Sequence, residues 1–194
     1  ISKMAKWYNG GGADNDVVLF SKIRLARNLA DTPFKSRMSR DIRKNTVKKL
    51  YASVKNSELA GDFNLIDLSA ASDIQAVSYA EKQLVSPEFA KEKGAFLLSL
   101  NENASVMLCE EDHIRITAFG GGLATAQAYA TADRIDTVFV ENLPVAYDDR
   151  LGFLTASPIN LGTGLKVSVA LHLPAIKSNG SVAKLASMVG KLGL

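Results

Sequence analysis

Three short stretches of this 194-residue chain gather side chains suited to holding anionic oxygens and moving protons. The densest is Cys109-Glu110-Glu111-Asp112-His113-Ile114-Arg115. On an extended chain, Glu111, His113 and Arg115 point one way, and Asp112, Ile114 and Ile116 the other. A carboxylate, an imidazole and a guanidinium on one sheet face can orient a substrate and grip charged oxygens. The same acids also fit a solvated hairpin end. The second stretch is Ser21-Lys22-Ile23-Arg24-Leu25-Ala26-Arg27, where Lys22 and Arg24 share a face by period two. Arg24 offers phosphate a planar two-pronged fork and Lys22 a point charge. An edge strand guarded by charge is the competing reading. The third runs Ser157-Pro158-Ile159-Asn160-Leu161-Gly162-Thr163-Gly164-Leu165-Lys166. Its glycines and Asn160 allow sharp turns and exposed backbone N–H groups beside an anion, or simply a tight connection. It is not a Walker loop, because its glycine spacing is wrong and Lys166 does not directly follow the second glycine. Cys109 reads as an inert buried thiol in an alternating strand. His172, in an apolar run, reads as a core-edge residue. No Ser-His-Asp or Cys-His order supports hydrolase chemistry.

The elements that must position these residues follow from periodicity. Residues 17–25 read as a strand. Ser39 opens a helix with an apolar stripe of Ile42, Val47, Leu50, Tyr51 and Val54. Residues 63–68 form a short strand, and 73–83 a helix that stops before Ser86-Pro87. Three strands follow at 94–100, 105–111 and 113–118, with Asn101-Glu102-Asn103 as a hairpin turn. Gly120-Gly121-Gly122 ends this meander before a long helix to about residue 140. Strands at 152–156 and 165–173 and an amphipathic helix from Ser181 complete the chain. Strands come in runs with helices between the runs, so the expected class is α+β, a mostly antiparallel sheet flanked by helices. Gly10-Gly11-Gly12 sets off a lead of residues 1–15, containing Trp7, from a domain at 16–194.

Composition narrows the functional classes. With 23 Lys+Arg against 20 Asp+Glu and 47% hydrophobic residues, the chain is neither disordered nor strongly basic. A nucleic-acid partner is not expected. The apolar runs are too short to span a bilayer, and the opening residues show no leader pattern. A single cysteine and two histidines exclude a disulfide framework, argue against a structural zinc site and fit the reducing cytoplasm.

Taken in order, the motifs resemble the phosphagen (ATP:guanidino) kinase superfamily, and in particular its bacterial protein-arginine kinase branch. The resemblance is carried by Asp16–Asn28 (DVVLFSKIRLARN), Glu81–Pro87 (EKQLVSP), Cys109–Ile116 (CEEDHIRI) and Tyr147–Pro174. It implies the guanidino kinase catalytic fold, ATP with Mg, and transfer of the γ-phosphoryl to arginine side chains of proteins. It places Lys22, Arg24, Arg115 and Lys166 in the cationic cradle, with Ser21 and Gln83 on the nucleotide side. Glu111 matches the carboxylate that orients the guanidinium and accepts its proton, while Ser157 and Asn160 match positions beside the guanidino group. Stress-response regulators and Clp protease components are the partners the family implies; oligomeric state stays open.

The departures from the family pattern concern the same sites. Lys22 and Lys166 stand where Arg is usual, keeping charge but losing the fork. Gln83 stands for a His, Cys109 for an Asn, and Ser157 for a reactive cysteine. The family pattern continues past the position of Leu194 with a segment bearing another phosphate-binding Arg and a second carboxylate. The resemblance therefore implies weak or no transfer by these residues alone. A non-catalytic nucleotide- or phosphoarginine-binding regulatory module is the alternative.

Overall fold

A computed structural model describes residues 6–193. Residues 1–5 of the expected lead, with most of the opening read as leaderless, and Leu194 lie outside the described residues. Strand β1 (Val18–Arg27) alternates Ser21, Ile23 and Leu25 with Lys22 and Arg24. Helix α1 (Arg40–Lys55) is capped by Ser39, whose hydroxyl accepts the Ile42 N–H at 3.3 Å, with Asp41 in its first turn and Lys55 in its last. Strand β2 (Phe63–Asp67) precedes α2 (Asp73–Glu81), which opens with a reciprocal Ser72–Gln75 capping box. The short α3 (Pro87–Lys91) starts on a Ser86 cap with proline in its first turn. Strands β3 (Ala95–Ser99), β4 (Ala104–Leu108) and β5 (Ile114–Gly121) form the meander, followed by α4 (Thr125–Asn142). The remainder is β6 (Tyr147–Asp148), β7 (Gly152–Phe153), β8 (Leu165–Leu171), α5 (Pro174–Ser178) and α6 (Val182–Lys191).

Six strands make one sheet in the order β2-β3-β4-β5-β1-β8, with every pair antiparallel. Register fixes what each face carries, because directly paired residues share a face. Ile23 and Leu25 sit opposite Ala118 and Ile116, and this face packs on Leu50 and Val54 of α1 and on Ala128, Ala132, Ile135 and Phe139 of α4. The other face carries Phe96, Leu98, Met107 and Phe119, covered by Ala76 of α2 and by Phe89 and Ala90 of α3. The Trp7 ring stacks on Phe119 at 4.4 Å between centroids. Burying a ring such as Phe89, which has no exposed surface, contributes roughly 1.5–3 kcal/mol. The α2–α3 cover stops short of β1 and β8. That gap leaves the cationic stretch of β1 in an open cleft.

The structure departs from the periodicity reading in several places. The second and third strands of the meander are Ala104–Leu108 and Ile114–Gly121, so Cys109 to His113 form the turn between them. Cys109 is left-handed, with φ 55°. The single-face placement of Glu111, His113 and Arg115 therefore fails: Glu111 is exposed and His113 fully buried. Gly120 and Gly121 belong to β5, and Gly12 packs where a Cβ would come within 2.0 Å of the Gly121 carbonyl oxygen. Helix α2 ends at Glu81, and Gln83 adopts φ 57° past its C-cap. Of residues 152–156, only Gly152 and Phe153 pair as strand, with Tyr147 and Asp148. His172 falls just past β8 and is exposed, its N–H donating to the Val17 carbonyl at 2.8 Å. The amphipathic α6 forms as expected, but buries none of its described residues.

Candidate functional site

On the open face, Arg24 lies opposite Thr117 of β5 and Lys166 of β8, while Lys22 lies opposite Phe119 and Ser168. Arg115 comes two residues before Thr117, paired with Met107 and Ala26. Lys22, Arg24, Arg115 and Lys166 thus line one cleft of about 340 Å³, whose far wall is Gln83, Val85, Ser86 and Pro87 from the α2–α3 connection. Sheet register gathers these cations from three strands, and the αL turn at Gln83 brings its amide to accept from Lys22 Nζ at 2.9 Å.

The cations repel one another. Burial, and then the charges of Arg24, Arg115 and Lys166, lower the Lys22 pKa below that of an ordinary lysine. Burial and Arg115 do the same to Arg24, against the opposing pull of Glu110, Glu111 and Asp112. Half-buried like charges crowded in one concavity have a physical reason to take up an anion with several oxygens.

At the end of the cleft stands the acidic turn. Glu110 Oε2 accepts from Arg115 Nη1 at 2.5 Å, and Glu110 Oε1 from the Ser86 hydroxyl at 3.2 Å. Burial pushes the Glu110 carboxyl up, but the Glu111 N–H, the Arg115 guanidinium and Ser86 outweigh it and hold the pKa below the ordinary carboxylate range. Glu111 is solvent-facing and close enough to act on Arg24 through its charge. Asp112 is buried, accepting from Asn28 Nδ2 at 2.6 Å and from the Ala156 N–H at 2.8 Å. That second bond holds the segment leading to Ser157 beside the acids. Asn160, in a 3₁₀ turn at Pro158–Asn160, accepts from Arg24 Nη2 at 3.3 Å.

The structure brings Lys22, Arg24, Gln83, Arg115 and Lys166 into one cleft, with Asn160 hydrogen-bonded to Arg24, Glu111 near enough to act on Arg24 through its charge, and Ser157 following Ala156, which is tied to Asp112. Ser21 is not among them. It faces the α4 side, fully buried, its hydroxyl donating to the Gly122 carbonyl at 2.9 Å and accepting the Ala124 N–H at 3.0 Å. It ties β1 to the start of α4. Sequence reading missed Glu110, Ser86 and Asn28. The signal for Glu110 lay in a doubled Glu before Asp-His, where a turn exposes both acids to different neighbours.

The profile of the family described as ATP:guanido phosphotransferase, C-terminal catalytic domain, matches residues 43–194. A protein-arginine kinase of Clostridium acetobutylicum is 37% identical over 194 residues, covering 98% of this chain and 57% of that protein. One from Bacillus cereus (strain AH187) is 38% identical over 195 residues, covering 98% and 55%. The chain thus spans a little over half the length of these relatives. Among solved structures, the duplicated taurocyamine kinase from Schistosoma mansoni with bound transition state analog components superposes with a TM-score of 0.76. The match has 19% identity over 95% of this chain and 28% of that one. Lombricine kinase gives 0.69 at 18% identity over 87% and 51%. Both show the same fold. The α+β antiparallel sheet, its helices and the matched sequence agree, and the chain belongs to the ATP:guanido phosphotransferase family.

Proposed function

We propose that this domain binds MgATP in the cationic cleft and transfers the γ-phosphoryl group to the guanidinium of arginine side chains in proteins. The observation that carries the reading is the convergence of Lys22, Arg24, Arg115 and Lys166 on one face, beside a carboxylate-rich turn. Phosphoryl transfer asks little covalent chemistry of a protein, so alignment and charge stabilisation do most of the catalysis. The four cations hold the phosphates. Mg²⁺ would arrive with them, supplying charge neutralisation across their oxygens. A guanidinium is a poor nucleophile; Glu111, facing solvent by Arg24, is the carboxylate positioned to align one of its nitrogens and take its proton. Asn160 and Ser157 flank that acceptor.

Lysine at positions 22 and 166 grips phosphate without a fork, so the reading includes slow transfer by these residues alone. A binding module without turnover remains the second reading, favoured by the engagement of Lys22 with Gln83. No helix among the described residues is long and apolar enough to cross a membrane. On its single cysteine we place the protein in the cytoplasm, with arginine-containing proteins as substrates and stress-response regulators and Clp protease components as candidate partners by family resemblance. The deciding experiment incubates the chain with [γ-³²P]ATP, Mg²⁺ and an arginine-containing protein. Acid-labile label on arginine supports the kinase. MgADP binding without label selects the nucleotide-binding module, and no MgADP binding at millimolar ligand overturns both nucleotide-dependent readings.

A further inference from the structure

We propose that Arg27, held by Asp136, positions the loop that carries Ser157 and Asn160 against the cleft. The inference deepens the kinase reading and rests on it for its kinetic consequence alone. Arg27 is three residues beyond Arg24 on β1, so its side chain leaves the opposite face of the sheet, toward α4. It does not line the cleft. Its guanidinium, 4% exposed, nevertheless touches both stems of the loop. Nη1 donates to the Thr163 carbonyl at 2.9 Å and to the Ala26 carbonyl at 2.8 Å. The guanidinium carbon lies 3.6 Å from the centroid of the Phe153 ring. Phe153 and Gly162 close the loop base, the Phe153 N–H donating to the Gly162 carbonyl at 2.8 Å and the Gly162 N–H to the Phe153 carbonyl at 3.3 Å. Nη2 reaches across to Asp136 Oδ2 of α4 at 2.7 Å.

Space for this arrangement is made by Gly164. At φ 61°, a Cβ there would lie 2.6 Å from the Ala26 carbonyl oxygen and 2.7 Å from Arg27 Nη1. The loop therefore wraps the end of the sheet. Thr163 is fixed on the helix side, and Asn160 is delivered to Arg24 on the cleft side. As a source of stability the ion pair is a poor design. Among the described residues, Arg27 Nε and Asp136 Oδ1 are both buried without a partner, and burial pushes the Asp136 carboxyl up against the pull of Arg27. A half-satisfied buried pair does not offset its desolvation well. Its geometry, one planar group bridging two loop stems and a helix, is what an apolar replacement cannot reproduce.

The test is the near-isosteric Asp136→Asn in this chain, read three ways against wild type. Amide hydrogen exchange across residues 157–163 rises roughly tenfold or more, while circular dichroism shows the fold retained. MgADP affinity by calorimetry stays within about twofold, because the cleft cations are untouched. In the arginine-phosphorylation assay, KM for the protein substrate rises while KM for MgATP holds. Should Asp136→Asn not fold, Arg27→Lys is measured in the same way, since it keeps the charge but cannot reach Thr163, Ala26 and Phe153 together. Unchanged loop exchange in a folded variant overturns the positioning role, as does an equal loss of nucleotide affinity. Absence of phosphorylation in wild type overturns the kinase reading instead, and the exchange data then decide the loop by themselves.

Discussion

Asn28 Nδ2 and Asp112 Oδ1 lie 2.6 Å apart, and both residues are almost fully buried. The same Asp112 oxygen accepts the Ala156 N–H, and Asn28 Oδ1 accepts the His113 N–H at 2.9 Å. Asn28 Nδ2 also reaches the Leu154 carbonyl at 3.0 Å. One amide and one carboxylate thereby join the end of β1, the acidic turn and the segment entering Ser157. Arg27 and Asn28 are consecutive, so two adjacent residues anchor the far side of the loop and its near side.

Removing Asn28 tests this knot. Asn28→Ala leaves a buried carboxylate short of a donor and the His113 N–H without its acceptor. The expected loss is about 2–4 kcal/mol, read as a lower urea midpoint with an unchanged slope. A change within about 0.5 kcal/mol would show that the network does not hold the turn.

The knot also shows where the sequence was legible. The alternation of Ile23 and Leu25 in β1, the continuous apolar run of β3 and the Leu50–Val54 stripe of α1 are dictated by burial, so their existence and approximate ends could be read directly, although Ile42 at the head of that stripe is exposed. The cationic face of β1 followed from period two alone. The acidic turn did not, because period two was extended through residues that leave the strand. Cys109 is left-handed because it opens a tight turn, closed by its own N–H donating to the His113 carbonyl at 2.9 Å, and alternation alone does not mark where that turn begins. Asn28, Arg27 and Asp136 were invisible for a related reason. Apart from the Ala26 carbonyl beside Arg27, their side-chain partners are 84 to 136 residues away, and no window on the chain contains both ends.

Charge removal and fork restoration in the cleft act in opposite directions. Arg24→Ala removes a half-buried cation and is expected to weaken MgADP at least tenfold by calorimetry, with a shallower dependence on salt. Lys22→Arg keeps the charge and adds the two-pronged geometry, and is expected to tighten binding several-fold. Equal affinities in wild type and Arg24→Ala would remove the phosphates from this cleft.

The Cys109 thiol is fully buried, and burial pushes its pKa up to about 11 despite nearby Arg43 and Lys35. Only the thiolate reacts. Alkylation by iodoacetamide at pH 8 is therefore expected to be slower in the native protein than in urea by roughly a hundredfold or more. Comparable rates in the two conditions would place Cys109 in an open, reactive setting.

His113 should make stability depend on pH. Its Nδ1 accepts the Leu29 N–H at 3.0 Å, which leaves Nε2 as the proton-bearing nitrogen, donating to the Pro33 carbonyl at 2.9 Å. The neutral ring is the one that fits. Burial lowers the pKa below the ordinary 6.5, against the Pro33 carbonyl and the charges of Asp112 and Asp31, which favour the protonated ring. Between 6.5 and the lowered native value, the unfolded chain carries a proton that the native ring refuses. The stabilisation is thus fully present above about 6.5 and is lost as pH falls through that window, by up to about 1.4 kcal/mol per pH unit. Urea unfolding from pH 7.5 down to 5 should show the decline, and His113→Gln, if folded, should flatten it. The same slope in both proteins would assign the pH dependence to another group.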